Sequence, residues 1–197
     1  MARQKIKLAV FISGRGSNAQ ALIDACENPD FPAEIVLLLS NRPDALGLAR
    51  AKKAGIATEI VDHKAFADKA SFEAALQDVL AAYEVDFICL AGFMRLLSGD
   101  FLAHWPQKVI NIHPSLLPDY KGLNTHERAL ADKRTQSGCT VHYVVAEMDA
   151  GEIIVQKAVP IIGGDTPTTL AARILEQEHI AYPEAVQMIA QNILREQ

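Results

Sequence analysis

The 197-residue sequence predicts an α/β fold built on an open, mostly parallel sheet with helices on both faces and an antiparallel hairpin near its C-terminal end. Three observations carry that expectation. Apolar runs rich in β-branched residues alternate with segments of helical periodicity, the pattern of repeated βαβ units. A glycine-rich turn, Ser13-Gly-Arg-Gly-Ser-Asn18, separates the first such run from the first helical segment. Late in the chain the alternation gives way to two longer extended runs joined by a short turn with Asp and Gly, which suits a hairpin.

Taken in order, strands are expected at 6–12, 34–40, 57–61 and 86–91, with helices near 18–27, 45–54 and 71–83 between them. A fifth strand at 108–112 leads into a Pro-rich loop, 114–122, and a helix near 124–132. The segments 139–147 and 153–161, joined by Met148-Asp-Ala-Gly-Glu152, are expected to extend the sheet as antiparallel strands. The last helix opens at Asp165-Thr-Pro167, where a hydroxyl can cap and Pro fits the first helical position, and runs to about Leu194. Pro183 is expected to kink or break it. With no internal repeat, low-complexity tract or linker, the chain reads as one domain.

Half of the residues are apolar, enough for a substantial core at this length. A formal charge of -5 and the lack of a Lys/Arg block argue against nucleic acid as a partner, leaving small molecules. Cys26, Cys89 and Cys139 make no metal-ligand spacing and read as packing residues in a reducing compartment. The start leads directly into a strand without a signal segment, and no apolar run is long enough to span a membrane, so a soluble cytoplasmic protein is expected.

The sharpest chemical signal is Lys108-Val-Ile-Asn-Ile-His-Pro114. In an extended segment alternate residues share a face, so Val109, Asn111 and His113 line one side while Ile110 and Ile112 line the other. Pro114 holds His113 to extended backbone and ends the ladder, which mounts the imidazole stiffly at the strand tip. Strand-end capping would explain one such residue. An amide donor two residues from a titratable imidazole fits a reaction that builds charge on a carbonyl oxygen while a proton moves.

Open parallel sheets bind ligands beyond the carboxyl ends of their strands, and the other candidates fall on such loops, on the later hairpin or, for Glu178, on the last helix. The 13–18 turn offers free N–H groups at a helix start, suited to an anion. It matches a loose dinucleotide fingerprint, but the second strand ends in Ser40-Asn41-Arg42, without the carboxylate a nucleoside ribose wants, so a monophosphate ester fits better. The run Leu90-Ala-Gly-Phe-Met-Arg-Leu-Leu97 surrounds one cation with apolar side chains, as a flat hydrophobic ligand, a partner surface or simple packing would require. Asp149 is ordinary turn chemistry unless the hairpin lies beside the fifth strand, where its carboxylate can reach His113 and stabilise the charged imidazole. Glu178 interrupts the apolar stripe of Leu170, Ile174 and Ala181 and needs a partner, such as the hydroxyls of a sugar.

Together these segments resemble the phosphoribosylglycinamide formyltransferases, the glycinamide ribonucleotide transformylases of the formyltransferase superfamily. The resemblance rests on Ser-Gly-x-Gly-Ser-Asn at 13–18, Ala-Gly-Phe-Met-Arg at 91–95, Asn-Ile-His-Pro-Ser-Leu-Leu-Pro at 111–118, Asp149-x-Gly151, and Glu178-His179 before Tyr182-Pro183, and covers nearly the whole chain. It implies a formyltransferase-like, Rossmann-like domain over 1–197, with a phosphate-binding half at 1–105 and a catalytic and folate-binding half at 106–197. The implied reaction carries the formyl group of 10-formyltetrahydrofolate, a co-substrate, to the amine of glycinamide ribonucleotide in purine biosynthesis, with no metal, by a monomer or homodimer.

By that resemblance Asn111, His113 and Asp149 are catalytic, and Gly16, Ser17, Asn18 and Glu178 bind the ribonucleotide. Lys69, Met94, Arg95, Leu96, Leu97, Asn111, Val145, Ala146, Glu147, Met148 and Asp149 would line the folate site. Two positions depart from the pattern: Leu175 stands where a polar residue is expected one turn before Glu178, and Asn124 where some members have His. A formyltetrahydrofolate hydrolase on the same scaffold is the nearest rival, and a non-catalytic phosphate-ligand sensor the rival from another class.

Overall fold

The structure, a computed structural model, describes residues 4–196. Five strands run parallel: β1 (Ile6–Ile12), β2 (Ala33–Ser40), β3 (Ala57–Ile60), β4 (Phe87–Leu90) and β5 (Val109–His113). The hairpin strands β6 (Gln136–Tyr143) and β7 (Ile153–Pro160) pair antiparallel, β6 directly against β5. Among the described residues the seven strands make one sheet in the order β3-β2-β1-β4-β5-β6-β7.

Alternation along the strands divides the core in two. Leu8, Val10, Ile12, Ile110 and Ile112 face α1 (Ser17–Cys26), α2 (Gly47–Lys53) and α6 (Pro167–Glu196). Ala9, Phe11, Leu37, Leu39, Ile88 and Val109 face α3 (Lys69–Ala82) and the short α4 (Gly99–Ala103). Each fully buried Leu or Ile contributes roughly 1.5–3 kcal/mol relative to exposure, so two continuous apolar layers fix the helices against the sheet. The remaining helix, α5 (Thr125–Ala131), packs beside α6. The three cysteines are free, Cys89 and Cys139 buried, and burial pushes the Cys139 thiol up to about 12 and that of Cys26 to about 11, consistent with packing roles.

Most predicted elements lie within two residues of the observed ones, and the departures have physical causes. The strand expected at 139–147 is β6, which starts at Gln136 and ends at Tyr143. Its last sheet contact is Val144 N–H to the Val109 carbonyl, 2.9 Å, after which Val145 turns out half-exposed and the chain leaves the sheet. Helix α4 is too short for periodicity to register and depends on Ser98, whose side chain caps Phe101 N–H at 3.0 Å. Pro183 does not break α6, which is helical from Pro167 to Glu196. Tyr182 and Ala185, both fully buried, clamp that turn onto the sheet, and the Tyr182 hydroxyl donates to the Leu90 carbonyl at 2.8 Å.

The chain leaves β1 toward β2 and β3 on one side, then crosses back to β4 on the other. Loops beyond β1 and β4 therefore diverge and leave a crevice at the carboxyl edge. Its floor is set by a close approach of two turns: a Cβ on Gly16, which has φ 68°, would sit 2.7 Å from Gly47 Cα, while Gly47 N–H donates to the Gly14 carbonyl at 3.0 Å. Both the left-handed backbone and the crowding demand glycine. Gly16→Ala is accordingly expected to destabilise the protein by at least about 2 kcal/mol, from left-handed strain and overpacking together. That corresponds to a fall of roughly 4–8 °C in melting temperature. An unchanged melting curve would show that the turn relaxes freely.

Candidate active site

At the tip of β5, Asn111 and His113 project on the α3 and α4 side of the sheet, Asn111 half-buried and His113 buried. The β6–β7 turn brings Asp149 over them. The carboxylate Oδ2 lies 3.4 Å from His113 Nδ1 and accepts the Gly122 N–H at 2.8 Å. Asp149 has φ 49°, a left-handed conformation that Asp tolerates better than most residues, and it aims the carboxylate back at the sheet. His113 Nε2 donates to the Tyr120 carbonyl at 2.9 Å, so both ring nitrogens face acceptors.

Sequence reasoning did not find His142. It is the direct cross-strand partner of Asn111, 2% exposed, with Nε2 3.3 Å from Asn111 Nδ2 and 3.7 Å from Asp149 Oδ1. Its Nδ1 donates to the Tyr143 carbonyl at 2.8 Å. Burial lowers the His142 pKa below the ordinary histidine value, opposed by the Tyr143 carbonyl and Asp149. The available signal was Thr140 and His142 at alternate positions around Cys139 and Val141, but their relation to Asn111 depends on a register that spacing does not give.

These groups line a cavity of about 550 Å³, together with Met94, Arg95, Leu96, Leu97, Val145, Ala146 and Met148. Met94 and Leu96 are among the most exposed large apolar residues of the chain, which marks the wall as a surface for an apolar ligand. Asn124 and His126 also line it. Asn124 sits at φ 57° ahead of α5, a backbone that suits Asn. Burial lowers the pKa of His126, whose Nδ1 is buried without a hydrogen-bond partner among the described residues. Lys69 and Glu147 do not line the cavity: Lys69 lies 3.8 Å from Glu73, and Glu147 pairs with Lys121 at 3.1 Å.

A second cavity of about 490 Å³ adjoins the first, sharing Gly92, Met94 and Arg95. Gly16, Ser17 and Asn18 line it at the start of α1, with Arg15, Arg42 and Arg95 around it and no carboxylate among its lining residues. Arg42 is held by Asp44, while Arg15 and Arg95 make no ion pair among the described residues. Helix N-terminal N–H groups and free guanidiniums favour an anion there. Buried polar side chains fix the ridge between the two cavities. Ser13 Oγ donates to Asn41 Oδ1 at 2.6 Å and accepts the Met94 N–H at 2.7 Å, and Glu73 accepts both the N–H and the hydroxyl of Ser98.

Glu178 lies on α6 outside both linings but meets the phosphate-type loop, accepting from Asn18 Nδ2 at 2.6 Å. Asn18 Oδ1 is buried without a partner among the described residues. Burial raises the Glu178 pKa, outweighing the Asn18 amide that lowers it. Leu175, one turn earlier, is half-buried and offers the loop no charge. Among the described residues no three His, Cys, Asp or Glu side chains group as a metal site, and no helix is long and apolar enough to cross a membrane.

An open α/β sheet holds an amide donor and a His–Asp pair in one of two adjoining cavities, an arrangement that suits group transfer between two bound ligands. The chain belongs to the formyl transferase family, whose model matches residues 6–186. It is 41% identical over 190 residues to the phosphoribosylglycinamide formyltransferase of Escherichia coli (strain K12), covering 96% of this chain and 90% of that protein. It is 48% identical over 192 residues to the trifunctional purine biosynthetic protein adenosine-3 of Bos taurus, covering 98% of this chain but only 19% of that much longer protein. The crystal structure of phosphoribosylglycinamide formyltransferase from Brucella melitensis superposes with a TM-score of 0.92 at 50% identity, covering 95% of this chain and 96% of that one.

The burial of Glu178 has a consequence for stability. A carboxyl whose pKa is raised by folding penalises the folded state once the pH exceeds the unfolded value, about 4.3, and the penalty is complete above the folded value. Glu178→Gln is therefore expected to raise the melting temperature at pH 8, with the gain disappearing near pH 4. A lower melting temperature at pH 8 would show that the Asn18 contact outweighs the burial.

Proposed function

We propose that this chain transfers the formyl group of 10-formyltetrahydrofolate to the amine of glycinamide ribonucleotide, giving formylglycinamide ribonucleotide and tetrahydrofolate in purine biosynthesis. The observation that carries the reading is the meeting of Asn111, His113 and Asp149 in a largely apolar cavity that adjoins a cationic one. In this reading the apolar cavity takes the folate ring against Met94 to Leu97 and Val145 to Asp149. The cationic one takes the phosphate on Gly16, Ser17 and Asn18, with Glu178 reaching the ribose. Residues 1–105 thus serve mainly the phosphate and 106–197 the chemistry and the folate.

The amine lone pair attacks the formyl carbon, and the C=O electron pair moves onto oxygen. Asn111 Nδ2 supplies a preorganised donor to that oxyanion, and protonated His113 a second. His113 Nε2 is bonded to the Tyr120 carbonyl, a neutral acceptor. Exchanging that acceptor for an oxygen that gains charge only as the bond forms favours the transition state over the bound substrate. Collapse of the intermediate breaks the bond to the folate nitrogen, which takes a proton given up by the amine, relayed through His113, Asp149 and water. Holding both ligands in one crevice makes the encounter nearly intramolecular.

Incubating the protein with 10-formyltetrahydrofolate, with and without glycinamide ribonucleotide, tests this directly. Tetrahydrofolate released only in the presence of the amine supports transfer, release without it means hydrolysis, and no release means a binding protein. In the same assay Asn111→Ala is expected to lose roughly 100- to 1000-fold in turnover, the usual worth of one preorganised oxyanion donor. Near-normal turnover would remove Asn111 from the mechanism.

A further inference from the structure

We propose that His142 is a positioning residue that acts through Asn111: as an uncharged imidazole protonated at Nδ1 alone, it accepts a hydrogen bond from Asn111 Nδ2 and so sets which end of that amide faces the cavity. The inference rests on the transfer reading above and deepens it.

Hydrogen-bond chemistry leaves little freedom. The Tyr143 carbonyl can only accept, so His142 Nδ1, 2.8 Å away, carries a proton. Asn111 Nδ2 can only donate, so His142 Nε2, 3.3 Å away, must be bare. One tautomer of a neutral ring satisfies both contacts. The two ends of an amide are alike in shape and opposite in polarity, and a half-turn about the Cβ–Cγ bond would present Oδ1 to a developing oxyanion in place of the donor. The bare Nε2 resists that turn, because two lone pairs would then face each other. The second N–H of Nδ2 remains free for the cavity that Asn111 lines.

The surroundings hold the ring in this state. His142 is 2% exposed, and the charged or titratable groups facing it are Asp149 from the β6–β7 turn and His113 from β5. Burial is the largest influence on it and favours the neutral form. The β6–β7 pairing shifts register between Val141 and His142, with Val141 opposite Val155 and His142 opposite Ile153. Such a bulge re-aims side chains beside a site. Were His142 protonated, Nε2 would become a donor aimed at Asp149 Oδ1, 3.7 Å away, and Asn111 would have to turn its oxygen toward it.

The test is a double-mutant cycle in the formyl-transfer assay with wild type, His142→Leu, Asn111→Ala and the pair. His142→Leu is expected to lower kcat roughly 10- to 100-fold, the scale of a misplaced donor, with KM for both substrates changed less than about threefold. In the Asn111→Ala background it should cost nothing further, since the group it positions is gone. His142→Gln, whose side-chain oxygen can accept where Nε2 does, should restore most of kcat. Losses that multiply, or a Gln variant no better than Leu, overturn the inference while leaving the transfer reading intact. A wild type without amine-dependent release overturns both. Independently of activity, side-chain nitrogen NMR at pH 7 should show His142 protonated on Nδ1 only. The opposite tautomer or an imidazolium would refute the assignment.

Discussion

The carboxylate of Asp149 is the contact on which the rest of the site depends. One oxygen faces His113 and also receives the Gly122 N–H, while the other faces His142. A single side chain in a hairpin turn thereby ties together the tip of β5, the loop before α5 and the edge of β6. The charge is nearly buried, with 11% of the side chain exposed. An anion removed from water in this way is tolerated only where donors and partial positive charge surround it. The Gly122 N–H and the His113 imidazole supply them, and in return the carboxylate fixes where those groups stand.

This arrangement is possible because the sheet changes direction beside β5. A sixth parallel strand would have needed a long crossover and would have carried its own loop to the carboxyl edge from the far end. The antiparallel β6 instead sets His142 directly opposite Asn111, and its turn to β7 folds back over the site. The apolar loop after β4 is pinned at both ends, by Ser13 at Met94 and by Glu73 at Ser98, so its exposed side chains form a wall and not a flexible flap. Rigid supports of this kind hold a donor within the small tolerance that oxyanion stabilisation requires.

The fold was legible where a local rule decides it. Alternation in β5 placed Asn111 and His113 on one face, and the glycines of the 13–18 turn marked the α1 start, although Gly16 is there as much for contact with Gly47 as for any ligand. Less was legible where the decisive neighbour is distant in sequence. The reach of Asp149 needed the hairpin to lie beside β5, and His142 needed the register of that pairing as well. Val144 and Val145 carry strand propensity, yet the chain leaves the sheet there to line the cavity. Pro183 carries a helix-breaking signal that the packing of Tyr182 and Ala185 overrides. Tertiary contacts, which no short window of sequence contains, decided each of these.

On the proposed reading, the reacting carbon and the attacking amine would meet beneath Asn111, with the Asp149 carboxylate holding the groups around them. The most direct measurement is a crystal structure with glycinamide ribonucleotide and a non-transferable analogue of 10-formyltetrahydrofolate bound together. The account predicts the formyl-mimicking oxygen about 3 Å from Asn111 Nδ2, the phosphate on the Gly16–Asn18 turn, and the amine facing the one-carbon unit. A folate whose one-carbon end points away from Asn111, or a phosphate bound anywhere but that turn, would contradict it.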